Sequence, residues 1–203
     1  MTTDRDSAID AAVEQLRRGE VIAFPTETVY GFAVDARDEA AVQRLYERKG
    51  RPAVKPLSVL VGGESVARRL VRHWPARASE LVARYWPGPL TIVLPRVLTG
   101  PDAVPEITVA GGDTIGLRCP DHPVALSLLA AFDGPLGAPS ANRSGEDPPT
   151  DAPTVAANFP DMLVLDGGPC RLATPSTVVA ISEGGEVTVL REGAVAADAL
   201  VSG

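Results

Sequence analysis

The densest group of residues suited to chemistry lies at positions 49–57, where Lys49, Arg51 and Lys55 surround a glycine and two prolines. Only two of the 19 basic residues of the chain are lysines, and both stand here. Ammonium and guanidinium groups neutralise phosphate oxygens, and the prolines lower the entropy lost when the loop holds a ligand. The segment predicts a polyphosphate site, although Lys49 alone also fits a helix C-terminus.

Familiar phosphate loops and catalytic triads are missing from the sequence. Neither GxxxxGK[ST] nor GxGxxG occurs, so a nucleotide would have to bind by another route. With two histidines and two cysteines, and no CxxC spacing, nothing indicates a Ser/His/Asp or Cys/His centre or a structural zinc. We interpret His122 as a helix cap or packing residue and Cys119 as a small buried hydrophobe.

Other polar segments adjoin apolar runs, which is where an open α/β sheet presents its ligand crevice. Residues 26–28, Thr-Glu-Thr, directly follow the run VIAF, and their hydroxyls and carboxylate suit a small zwitterion. Thr114 and Arg118 are four residues apart on one predicted strand and therefore share a face, on which the arginine fork suits a carboxylate. An ordinary turn cap would also explain residues 26–28. A surface ion pair would also explain Arg118.

The remaining polar segments are 139–145, 174–177 and 191–193. The first is rich in small hydroxyl and amide groups whose backbone can approach phosphate closely. The other two lie at the start of one predicted strand and the end of the next. Taken singly, each fits an ordinary turn.

The spacing of apolar residues predicts the helices and strands that must position these residues. Helices are predicted at 7–18, 38–49, in two parts over 65–86 split by Pro75, at 121–132 and near 152–159. Strands are predicted at 21–24, 57–61, 90–94, 114–118, 136–139, 162–166, 176–181 and 186–190. Because the two types interleave without a shift in composition, we expect a single α/β domain over residues 1–203, an open mixed sheet with helices packed on it.

Composition bounds the class of protein. The 203 residues include 45% hydrophobic ones, which is enough for a substantial core. A net charge of −7 opposes a surface devoted to nucleic-acid backbone, so any tRNA contact is expected to be weak and local. The first 20 residues resemble neither a signal peptide nor an anchor, and no apolar run has the length of a membrane span. We expect a cytoplasmic protein.

Seven segments resemble the YrdC/Sua5 family in the family's order: PTETVYG, KGRPAVKPL, WPGPLTIVL, GLRCPDHP, PSANRSG, PSTVV and REG. The resemblance covers nearly the whole chain. It implies a twisted open α/β sheet with a deep, positively charged cleft that binds ATP and L-threonine side by side. The chain ends soon after REG, which resembles the short, single-domain form of the family.

The implied activity is that of a nucleotidyltransferase. L-threonine, bicarbonate and ATP, with Mg²⁺, would give L-threonylcarbamoyladenylate and pyrophosphate. That product begins N6-threonylcarbamoyladenosine formation at position 37 of tRNA and would pass to a tRNA threonylcarbamoyl transferase complex. Catalysis would be positioning and charge neutralisation, since no covalent enzyme nucleophile is needed.

The resemblance also implies a role for individual residues, and it assigns no side chain to the metal. Threonine would contact Thr28, Arg118 and Ser176, with the backbone of Ala138 in the same pocket. ATP would contact Lys49, Arg51, Lys55, Thr114, Ser140, Asn142 and Arg191. Of these, Lys49 and Arg51 are the expected catalytic residues. Leu60 replaces a histidine that is frequent in the long form of the family.

Two other hypotheses remain open. One is a carbamoyl-adenylate-forming, carbamoyltransferase-type module, as in hydrogenase maturation proteins, whose acylphosphatase and zinc-finger segments this sequence lacks. The other is a non-catalytic RNA-binding protein, which the acidic charge opposes.

Overall fold

The computed structural model of the chain describes residues 2–50 and 55–201. Its centre is an eight-stranded sheet. The strands are β1 (Ile22–Phe24), β2 (Gly31–Asp35), β3 (Ser58–Leu60), β4 (Leu90–Pro95), β5 (Thr114–Arg118), β6 (Leu136–Gly137), β7 (Thr177–Ile181) and β8 (Val187–Arg191). They lie in the order β1-β2-β6-β3-β5-β4-β7-β8. Two neighbouring pairs, β3–β5 and β4–β7, are parallel and the others are antiparallel, so the expected mixed sheet is confirmed.

Helices pack on this sheet, and within the described ranges none is long and apolar enough to cross a membrane. They are α1 (Thr2–Arg17), α2 (Glu39–Lys49), α3 (Glu64–Arg69), α4 (Ala76–Tyr85), α5 (Pro123–Phe132), α6 (Ala152–Asn158) and α7 (Asp198–Val201), with a 3₁₀ helix at Glu106–Val109. The predicted helices are all present with shifted ends. The 3₁₀ helix and α7 were not predicted.

Helix α2 shows how the sequence fixes the start of the cationic segment. Asp38 caps it by accepting a hydrogen bond from the Ala41 amide at 3.1 Å, and Gly50 ends it with φ of 61°, in the left-handed region that favours glycine. Its buried face includes Leu45 and Tyr46. Lys49 is thereby held in the last helical turn.

The two-residue period of β4 and β5 separates a core face from a cleft face. Ile92, Leu94, Ile115 and Leu117 are buried in the core cluster that includes residues of α3 and α4. The residues that alternate with them, Thr91, Val93, Thr114, Gly116 and Arg118, line a cleft on the other face. The prediction that Thr114 and Arg118 share a face is confirmed.

The predicted strand at 162–166 is wrong. This segment makes one parallel bridge, Ala23 with Val164, supported by two backbone hydrogen bonds of 2.9 Å that join Ala23 to Leu163 and Leu165. Strand β1 has only three residues, and its other side already pairs with β2. It is therefore too short for the 162–166 segment to form a longer ladder with it.

Strand β2 was missed because its sequence, GFAVD, follows a polar segment and is too short to show a period. Burial of Phe32, Ala33 and Val34 between neighbouring elements stabilises the extended backbone there. Tertiary packing therefore decides this strand.

Thr177 joins β7 to the segment that follows β8. Its side chain is 0% exposed, and its hydroxyl donates to the Val195 carbonyl at 2.6 Å while accepting from the amides of Gly193 at 2.9 Å and Val195 at 3.0 Å. A Cβ at Gly193 would lie 2.3 Å from the Pro175 carbonyl oxygen, so glycine is required for this close approach. Together these contacts fix the chain after Arg191.

We predict that Thr177→Val lowers the free energy of unfolding by about 2–4 kcal/mol, because valine keeps the shape but leaves buried backbone groups without partners. Urea denaturation followed by circular dichroism measures this. Thr188→Val, at an exposed position of β8, is the matched control and should change stability little. Equal stability of the two variants would contradict the bonding role of Thr177.

Candidate active site

A cleft of about 520 Å³ opens on the sheet face described above. Its walls come from segments distant in sequence, including the ends of β5 and β8, the 26–28 turn and the 138–140 segment. Its charged lining residues within the described chain are arginines. Seven predicted site residues line it: Thr28, Thr114, Arg118, Ala138, Ser140, Ser176 and Arg191.

Arg118 closes one end of the cleft, where β5 ends. Its Nε donates to the Gly88 carbonyl at 3.2 Å and its Nη2 donates to Thr28 Oγ1 at 2.9 Å. Thr28 Oγ1 also lies 2.8 Å from Thr26 Oγ1. The PTET hydroxyls and the arginine fork therefore form one network, which suits a small carboxylate.

The WPGPL motif contributes the carbonyl that orients Arg118. A Cβ at Gly88 would lie 2.3 Å from the Tyr85 carbonyl oxygen, so the backbone can approach the end of α4 only without a side chain. The Gly88 amide in turn donates to the Cys119 carbonyl at 2.8 Å. The motif thus fixes both the backbone beside Arg118 and the acceptor of its Nε.

Arg191 stands at the end of β8 and lines the same cleft. Its Nη2 donates to the Ser176 carbonyl at 2.8 Å, and the Ser176 hydroxyl lies 2.9 Å from Thr91 Oγ1. Desolvation lowers the pKa of the Arg191 guanidinium, and the positive charge of Arg118 lowers it further. Two guanidinium groups that line one cleft favour an anionic ligand there.

Lys49 lies behind the lining and holds the loop that carries Ser140. Its side chain is 3% exposed, and its Nζ donates to the carbonyls of Ser140 at 2.6 Å and Asn142 at 2.8 Å and to Asn142 Oδ1 at 3.0 Å. Asn142 Nδ2 donates onward to the carbonyls of Arg143 and Glu146, at 2.8 and 2.7 Å. Lys49 and Asn142 therefore shape the wall, and their contact with ATP stays a prediction.

Of the remaining cations of this segment, Lys55 is described and lies beside the cleft. Lys55 is exposed and is absent from the lining, although its neighbour Pro56 is part of it. The Lys55 carbonyl accepts a hydrogen bond from the Tyr46 hydroxyl at 2.7 Å, which ties the backbone of this segment to α2. Arg51 lies outside the described residues, so its predicted role stays a prediction.

Sequence reasoning missed the role of Glu27 and the apolar part of the lining. The Glu27 carboxylate was expected to meet a ligand, but the residue is 1% exposed and pairs with Arg118. Val109, Val178 and Leu190 line the cleft without having been predicted. The alternation of β7 and β8 could have indicated the last two, whereas Glu27 required knowledge of its three-dimensional neighbours.

His122 caps α5 as expected. Its Nδ1 accepts the Val124 amide at 3.2 Å, and burial lowers the pKa of the imidazole. Burial also raises the pKa of the Cys119 thiol to about 11, which suits a structural residue and opposes a thiolate nucleophile.

A family model for Sua5, YciO and YrdC proteins, described as "Telomere recombination", matches residues 14–193. The chain belongs to the Sua5/YciO/YrdC family. A relative named threonylcarbamoyl-AMP synthase, from Pyrococcus abyssi, is 41% identical over 83% of this chain and 49% of its own length. A relative from Mycobacterium tuberculosis, named a putative threonylcarbamoyl-AMP synthase, is 38% identical over 96% of this chain and 88% of its own.

Solved structures support the same family. A crystal structure of P. abyssi Sua5 complexed with L-threonine has a TM-score of 0.89 and 38% identity, over 96% of this chain and 57% of that one. The Sua5/YciO/YrdC resemblance and the YrdC-like fold expected from the sequence are thus confirmed. The chain spans about half the length of the curated relatives from P. abyssi, Bacillus subtilis and Schizosaccharomyces pombe.

The surroundings of Lys49 generate a stability prediction. Lys49→Met should lower the free energy of unfolding by about 2–4 kcal/mol, because buried acceptors of the 140–142 loop lose a charged donor. Chemical denaturation measures the change. Lys55→Met, at the exposed lysine of the same segment, is the matched control and should unfold like the parent. A parent-like Lys49→Met variant would show that the loop does not depend on this ammonium.

Proposed function

We propose that this chain synthesises L-threonylcarbamoyladenylate and pyrophosphate from L-threonine, bicarbonate and ATP. The observation that carries the proposal is a single cleft whose charged lining residues, in the described chain, are Arg118 and Arg191. Such a cleft fits two anionic ligands side by side. The names of the relatives favour an amino acid and a nucleotide as those ligands.

Two groups of lining residues differ in chemistry, and we assign one ligand to each. Arg118, with Thr28 beside it, suits the carboxylate of threonine. The hydroxyls of Thr114 and Ser140 and the Arg191 guanidinium suit phosphate oxygens. In this proposal Arg51 and Lys55 add positive charge from the flanking segment.

The chemistry needs no covalent enzyme intermediate. The threonine amine attacks the carbon of bicarbonate and forms a carbamate with release of water. A carbamate oxygen then attacks the α-phosphorus of ATP, and the bond to pyrophosphate breaks. The protein contributes by bringing the reactants together and by neutralising phosphate charge, with Arg51 as the proposed catalytic residue and with Lys49 acting through the loop that presents Ser140.

We propose that Mg²⁺ enters with ATP. The described cleft lining offers hydroxyl and carbonyl oxygens but no carboxylate, and no cluster of three or more His, Cys, Asp or Glu residues exists among the described residues. This donor set suits a magnesium ion held mainly by phosphate oxygens and water. The ion would share the neutralisation of phosphate charge with the arginines.

The product is a mixed anhydride of a carbamate and a phosphate, a reactive class of compound. We propose that it is handed locally, in the cytoplasm, to a tRNA threonylcarbamoyl transferase complex for modification of adenosine 37. The net charge of −7 favours a brief hand-over over extended tRNA binding.

Pyrophosphate release tests the proposed function directly. With ATP, Mg²⁺ and bicarbonate, release should require L-threonine and fall when bicarbonate is removed by degassing. Replacement of L-threonine by carbamoyl phosphate should give no release. Release that ignores threonine would overturn the proposal, release with carbamoyl phosphate would favour a carbamoyltransferase-type module, and tRNA binding without turnover would favour an RNA-binding protein.

The flanking cations give a second functional prediction. Arg51→Ala and Lys55→Ala should each reduce turnover at least about tenfold, which corresponds to about 1.4 kcal/mol of lost transition-state stabilisation. Arg72→Ala, at an exposed arginine outside the cleft lining, is the control. Near-parental rates for both Arg51→Ala and Lys55→Ala would place the phosphates elsewhere.

A further inference from the structure

Glu27 is a buried acid without a role in the chemistry described so far. It is 1% exposed and does not line the cleft, whereas Thr26 and Thr28 on either side of it do. Side chains alternate in this turn, so the hydroxyls of Thr26 and Thr28 face the ligand space and the Glu27 carboxylate lies behind it. A ligand in the cleft would meet Glu27 only through its neighbours.

The two oxygens of Glu27 have different surroundings. Oε2 accepts the Asp121 amide at 3.1 Å, which fixes the carboxylate against the entry to α5. Oε1 lies 2.8 Å from Arg118 Nη2 but receives no hydrogen bond from any residue in the described ranges. Its main stabilisation is thus the charge of the guanidinium, and in a buried setting such an attraction is much stronger than in water.

Arg118 is held along one edge. Nε bonds to the Gly88 carbonyl, while Nη2 bonds to Thr28 and faces Glu27. No described residue accepts a hydrogen bond from Nη1. The contacts of Arg118 therefore leave Nη1 as the nitrogen that can donate to a ligand in the cleft.

We infer that Glu27 is a positioning residue for the amino-acid carboxylate. It fixes the Arg118 guanidinium so that Nη1 meets that carboxylate, and it acts on the ligand only through Arg118. The inference rests on the proposed function, since it takes the ligand of Arg118 to be the amino acid. A simple counter-charge would behave in the opposite way, because its removal would make the site more positive and tighten carboxylate binding.

Steady-state kinetics of Glu27→Gln separates these roles. The variant keeps the shape of the side chain and removes its charge, so the KM for L-threonine should rise about tenfold, within the range of coupling energies of contacting residues. The KM for ATP should change less than about twofold, because the described phosphate-side contacts do not involve Glu27. Glu27→Asp, which restores the charge on a shorter side chain, should recover part of the loss.

A double-mutant cycle shows whether the effect passes through Arg118. In an Arg118→Met background, Glu27→Gln should raise the KM for L-threonine no further. The double variant should also melt at a higher temperature than Arg118→Met alone, because it no longer buries a carboxylate without its partner. This comparison keeps the test informative even if Arg118→Met is unstable.

Three results would overturn the inference: an unchanged or lowered KM for L-threonine in Glu27→Gln, an equal rise for both substrates, or a full additional effect in the Arg118→Met background. Each requires a parent protein whose pyrophosphate release depends on threonine. A parent without that dependence overturns the proposed function itself, and the two failures are thereby distinguishable.

Discussion

The positive charge of Arg118 and Arg191 in one cleft is the constraint around which the rest of the site is arranged. Arg118 is compensated from behind by Glu27, and Arg191 is held by the carbonyl of Ser176. Desolvation lowers the pKa of Arg191, and the charge of Arg118 lowers it further. Among the described residues, only Arg118 of these two arginines pairs with a carboxylate, so an anionic ligand would supply the remaining counter-charge.

The sheet makes this arrangement possible because side chains alternate on β4 and β5. Isoleucine and leucine on one face bury a core under α3 and α4. On the other face, Thr91, Gly116 and Ser58 are small enough to leave space for ligands, and Arg118 stands at the end of β5. A one-residue slip of β5 would bury Arg118 in the core and expose Leu117 in the cleft. Packing of the core therefore specifies the register that places the functional arginine.

How far the sequence predicts this site depends on whether the deciding contact is local. β5 was predicted with its observed ends, and His122 as the α5 cap, because strand alternation and capping are short-range signals. β2 and the bridge at Val164 depend on neighbours distant in sequence. The sequence did not predict β2, and it wrongly predicted a full strand around Val164. Glu27 belongs to the second kind: its partner is 91 positions away in the chain. The sequence indicated the Glu27 carboxylate and the Arg118 guanidinium separately, as groups that could meet a ligand, without indicating that they touch.

The two lysines show why residue type and spacing cannot assign a role alone. Six positions apart, they form one cationic cluster in the sequence, yet the left-handed Gly50 ends α2 between them and their surroundings differ. Lys49 is buried, and its Nζ donates to the carbonyls of Ser140 and Asn142, which a phosphate would have to displace or share. Lys55 is exposed beside the cleft. A charge satisfied by backbone oxygens stabilises a wall, whereas a solvated charge at the rim can meet an incoming triphosphate at lower desolvation cost. On this reasoning, phosphate neutralisation falls mainly to Arg191 and the flanking cations, and Lys49 influences the nucleotide chiefly through the loop that presents Ser140.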